Sequence, residues 1–138
     1  MKHLLARAGL ADVVLVESAG TADYHTGELP DGRSRAAAKA RGVLLASRAQ
    51  QFVPSFFERF DHVLAMDAQN VEELKRIAPS AEAAKKIALL RSFDPASPPN
   101  ASVPDPYHGG ADGFERVLDL CQAACEGFLE HLRREHGL

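Results

Sequence analysis

Tryptophan is absent, and tyrosine and cysteine occur only twice each. Two cysteines with no CxxC spacing cannot staple a small scaffold and make a poor metal centre. Cys121 and Cys125 stand four apart in one helical pattern, which suits two small apolar residues on a shared face better than a disulfide. No apolar run approaches the roughly 18 residues of a membrane span, and the residues after Met1 do not form a signal peptide. A net charge of −3 lacks the excess of cations that a phosphate-tracking surface needs, so nucleic acid is not an expected partner. Repeats, low-complexity tracts and domain linkers are missing too. A cytoplasmic protein of one domain, residues 1–138, with no membrane partner, is therefore expected.

What is present is ordinary globular material. It is 46% hydrophobic and 25% charged over 138 residues, enough for one core. Residues 2–10 (KHLLARAGL) read as the tail of an amphipathic helix stopped at Gly9. Residues 13–17 (VVLVE) are a short β-branched run, expected as a buried strand. Residues 18–30 are turn-rich and long for a simple connection, as functional loops often are. Pro30-Asp31 opens a helix through Arg41, with Gly42 as its stop. The phenylalanines around Pro54, in residues 52–60, predict a short helix at a core edge. Residues 62–66 (HVLAM) and 86–90 (KIALL) predict two more strands, separated by a helix over 68–78 that Pro79 ends. A proline-rich loop over 91–110 leads to a final helix over 111–135, with apolar positions from Phe114 to Leu132 at helical spacing. Helices alternating with short apolar strands imply an α/β domain on a parallel sheet.

The strongest chemical signal is VPDPYH at 103–108, followed by Gly109-Gly110. Prolines on both sides of Asp105 restrict the backbone, so its carboxylate is aimed and suits a general acid. Asp94-Pro95 is a rival, but it follows the third strand directly and no aromatic follows Pro95; a structural turn is expected. Asp67 and Asn70 read as the N-cap region of a helix. Ser18 and Thr21 follow the first strand, at the end where α/β ligands bind. Arg33 and Arg35 read as a solvated helix face. An anion-binding loop with a nucleophile to face Asp105 is lacking. Neither Cys121 nor Cys125 sits at a helix N-terminus beside a phosphate nest.

SAGT at 18–21, Gly27, Pro30, Asp31 and Arg33 in GELPDGR, and ERFDHVLAMDAQN at 58–70 come in an informative order. ALLRSFDP at 88–95, VPDPYHGG at 103–110 and FERVLDLCQAACEGFLEHL at 114–132 continue it. Together they resemble the low-molecular-weight protein tyrosine phosphatases nearly end to end. The resemblance implies a small doubly wound parallel sheet flanked by helices, in flavodoxin-like order. It implies hydrolysis of phosphotyrosine or aryl phosphate monoesters through a cysteinyl-phosphate intermediate, with no cofactor and no metal. By resemblance, Asp105 protonates the leaving phenolate and then activates the water that hydrolyses the phosphoenzyme. Tyr107 and Tyr24 become walls for a phenyl ring, His25 and His108 lie at the rim, and Ser18 and Thr21 support the phosphate loop.

The family's first strand and its CxxxxxR loop carry the thiolate nucleophile and the arginine clamp. These 138 residues contain neither, and Met1 to Leu5 match the middle of the family's first helix. The resemblance thus implies an N-terminally incomplete domain that lacks its first central strand and is inactive alone. Ser47 stands where the family carries a histidine that helps organise the phosphate loop, and His108 where a second aromatic is frequent. Two other functions are weighed. One is a non-catalytic, phosphatase-like binding or regulatory protein, whose unpaired sheet edges are satisfied by a homodimer. The other is arsenate reduction, which needs relay cysteines near the site, far in sequence from Cys121 and Cys125.

Overall fold

Apolar runs bracketed by turn residues become strands only where a neighbour accepts them. β1 (Val63–Ala65) and β2 (Ile87–Leu89) are parallel, with Val63 opposite Ile87, Leu64 opposite Ala88 and Ala65 opposite Leu89. The computed structural model describes residues 1–21, 27–106 and 111–138. Parallel neighbours need a crossover; α4 (Ala68–Ile77) and the one-turn α5 (Ala81–Ala84) supply it. Asp67 Oδ1 accepts from the Asn70 N–H at 2.8 Å, and Ser80 Oγ accepts from that of Ala83 at 3.0 Å. Each helix therefore starts on a side-chain cap. Alternation along β1 buries Val63 and Ala65, which join Phe57, Leu74 and Ala83 in one core cluster.

The other elements are α1 (Lys2–Arg7), α2 (Gly32–Ala40), α3 (Phe56–Arg59), a 3₁₀ turn (Leu90–Phe93) and α6 (Ala111–His136). α2 begins on Asp31, whose carboxylate accepts from the Arg33 N–H at 2.8 Å. It ends near Gly42, at φ 78°, a conformation that glycine adopts without a Cβ penalty. α6 packs on the 3₁₀ turn, α1 and α2. The buried Leu5, Ala38, Leu90, Ala124, Phe128 and Leu132 lie on these elements. Just past α2, Arg41 pairs with Asp119 of α6 at 2.8 Å. Among the described residues, no helix is long and apolar enough to cross a membrane.

The strand expected at 13–17 does not form. The Val13 and Val14 N–H groups turn back to the Leu10 carbonyl at 3.0 and 3.1 Å, and no ladder takes up the residues that follow. A β-branched run without a partner for its backbone groups is only an extended segment. Val13 and Leu15 are accordingly 59% and 67% exposed. Among the described residues the sheet has two strands rather than three, and the other pairing is a lone parallel bridge between Gly20 and Gln51. α5 was not expected; its Ser80 cap accounts for it. The loop expected over 91–110 begins inside the 3₁₀ turn instead.

Candidate active site

Asp105 lies on a segment fixed to the sheet. Val103 donates its N–H to the Met66 carbonyl at 2.7 Å, just beyond the C-terminal end of β1. Ligands of open α/β sheets bind at that edge. One residue earlier, Arg91 Nη1 donates to the Ser102 carbonyl at 2.8 Å in a half-buried setting. Ser97 Oγ in turn donates to the Arg91 carbonyl at 2.6 Å. On the other side of Asp105, the Pro106 backbone lies against the start of α6. A Cβ on Gly113 would stand 2.5 Å from the Pro106 oxygen, so only glycine permits that approach. Between these supports the Asp105 side chain is exposed.

Ser18 and Thr21 lie on a second segment. The Ser18 carbonyl accepts from Gln50 Nε2 at 2.9 Å. Gly20 donates to the Gln50 carbonyl at 2.8 Å and accepts from the Phe52 N–H at 2.7 Å. Thr21 is tied to α4, where its hydroxyl and the Gln69 amide hold the Glu73 carboxyl below its ordinary range. Ser47 accepts a long hydrogen bond, 3.5 Å, from Lys2 Nζ. Tyr24, His25, Tyr107 and His108 lie outside the described residues.

The rivals take structural parts. Asp94 Oδ1 accepts from the Ala96 N–H at 2.9 Å, closing a turn. Asp67 caps α4. Arg35 Nε donates to the Pro30 carbonyl at 3.1 Å, and the Arg33 guanidinium lies 4.9 Å from the centre of the Phe114 ring. Burial, then the neighbouring Cys125, pushes the Cys121 thiol up to about 11. At neutral pH it stays protonated and a poor nucleophile. Arg91 and Gly113 escaped sequence reasoning. The available signals were an arginine directly after an apolar strand and a glycine inside a helix, which costs about 1 kcal/mol against alanine.

A parallel β-α-β core, with the segment that carries Asp105 tied by Val103 to the carboxyl end of β1, defines an α/β protein. Residues 1–137 match the family model described as low molecular weight phosphotyrosine protein phosphatase, and the chain belongs to that family of enzymes. A low molecular weight protein-tyrosine-phosphatase of Streptomyces coelicolor is 44% identical over 129 residues, which cover 93% of this chain and 79% of that one. The crystal structure of a protein tyrosine phosphatase from Entamoeba histolytica aligns with a TM-score of 0.88 at 35% identity. That alignment covers 99% of this chain and 85% of the other. A drosophila arginine phosphatase aligns with a TM-score of 0.85 at 30% identity, over 96% of this chain and 85% of that one.

Proposed function

We propose that this domain serves a cytoplasmic phosphotyrosine phosphatase that works through a cysteinyl-phosphate intermediate. Asp105 is its general acid and then its general base. Tyr107 and Tyr24 flank the aryl ring, His25 and His108 line the rim, and Ser18 and Thr21 steady the phosphate loop. The nucleophilic cysteine and phosphate-binding arginine are not among these 138 residues, so the chain by itself turns nothing over. The observation that carries this reading is the anchoring of the Asp105 segment by Arg91 and by the Met66 carbonyl. An acid that must meet a leaving group in line with a nucleophile needs such a mount.

The test compares the 138-residue chain with the same chain preceded by a family-type strand and CxxxxxR loop. Both are offered a phosphotyrosine peptide and a phosphoarginine peptide, because a neighbour in fold is named an arginine phosphatase. The short chain is expected to be inert and the extended one to prefer phosphotyrosine. In the extended form, Asp105→Asn lowers kcat about 10²–10⁴-fold. Full activity in that variant overturns the role of Asp105. A preference for phosphoarginine overturns the substrate and leaves the acid in place.

A second reading, a non-catalytic protein that pairs with its own copy, is favoured by one observation. Among the described residues, positions 14–19 join no ladder, and Leu15 is 67% exposed.

A further inference from the structure

Four ionisable side chains outside the phosphatase site converge where the C-terminus of α6 meets the residue that enters β1. His62, Glu135 and His136 each offer one ligand atom, and all three atoms lie within 4.8 Å of one another. His62 Nε2 stands 3.9 Å from Glu135 Oε2. The same carboxylate oxygen is 2.7 Å from His131 Nε2, one helical turn back. His62 is held in place by packing edge-on against Phe128, with ring centres 5.4 Å apart. His136, by contrast, is exposed on the last helical residue.

We propose that His62, Glu135 and His136 bind a late first-row divalent cation of the Zn²⁺ or Ni²⁺ class, fastening the end of α6 to the start of β1. Two imidazoles and one carboxylate are the donor set such ions prefer over Mg²⁺ or Ca²⁺, which favour oxygen alone. Three protein ligands with water in the fourth position is a regular zinc arrangement. Bonds of about 2.0–2.1 Å require the three donor atoms to draw closer together than they stand here. The terminal position of His136 allows that movement, because a last helical turn frays at little cost. His131 acts on Glu135 as an outer-shell partner, holding in place the carboxylate whose Oε2 also approaches His62. The carbonyl end of α6 adds a negative partial charge beside the cation. Arg133 and Arg134, in the same turn, oppose it and keep the site weaker than a structural zinc centre.

The test is calorimetric titration of the tag-free, chelator-stripped chain with ZnCl₂, and separately with NiCl₂. One saturable site is expected, with a melting temperature that rises with metal concentration, since only the folded chain brings residue 62 to residues 135–136. His136→Gln removes the saturable phase without altering the fold seen by circular dichroism, and His62→Gln does the same. His131→Gln weakens binding by about tenfold. Cys121→Ala/Cys125→Ala leaves binding unchanged. The assignment is overturned if no saturable uptake occurs up to about 1 mM metal. Equal binding by His136→Gln, or loss of binding in the double cysteine variant alone, overturns it as well.

Discussion

Glu73 shows how a single side chain couples the loop at Thr21 to the body of the protein. The Thr21 hydroxyl and the Gln69 amide stabilise its charged form, while burial opposes ionisation and loses. One carboxylate oxygen is buried without a hydrogen bond among the described residues, so the balance rests on the other. The folded carboxyl therefore titrates below its ordinary value of 4.5. A group whose folded pKa is depressed adds stability above its unfolded pKa, and that stability is lost as pH falls through the folded value. Urea midpoints of the wild type should drop as pH is lowered from about 5 towards 3, and those of Glu73→Gln should drop less. Parallel acid limbs in the two proteins would show that Thr21 does not hold this carboxylate.

The elements were legible in proportion to how local their causes are. Asp31 and Asp67 announce α2 and α4, and the spacing from Phe114 to Leu132 announces α6. Gly127 stands inside that helix for a reason that lies in a contact with a distant element. A Cβ there would fall 1.8 Å from the Phe93 carbonyl oxygen, so glycine lets α6 close on the 3₁₀ turn. Arg91 is similar, since its partner, the Ser102 carbonyl, is eleven residues away along the chain. That bond positions the segment of Asp105, so under the proposed acid role Arg91→Met should lower kcat in the extended form by about tenfold or more, with KM little changed. The stability change should stay near about 1 kcal/mol, the net worth of one hydrogen bond. Arg91→Lys, which can still reach a carbonyl, should recover much of the rate. Equal losses of rate and stability in both variants would make Arg91 a packing residue only.

At the scale of the whole molecule, the sheet was the hardest feature to foresee, because strand pairing is non-local. Residues 13–17 carry every local mark of a strand, yet hydrogen-bonding partners decide the outcome. Asp105 could be singled out because the prolines beside it are sequence neighbours, whereas the anchors that aim it come from β1, the 3₁₀ turn and α6. The same unpaired stretch separates the two functional readings. Val13, Leu15 and Leu44 are 59%, 67% and 82% exposed, and a segment outside any ladder beside exposed apolar side chains is a template for another strand. If the chain works as a self-associating protein, light scattering should show dimers that grow with concentration. Leu15→Lys/Leu44→Lys should then shift the population to monomer while leaving the urea midpoint within about 0.5 kcal/mol, as befits exposed positions. The extended form used for catalysis should stay monomeric, its added strand occupying the edge a second copy would use. A short chain that is monomeric at every concentration removes the binding reading. A short chain that dimerises, together with an extended form that dimerises equally and lacks activity, removes the phosphatase reading.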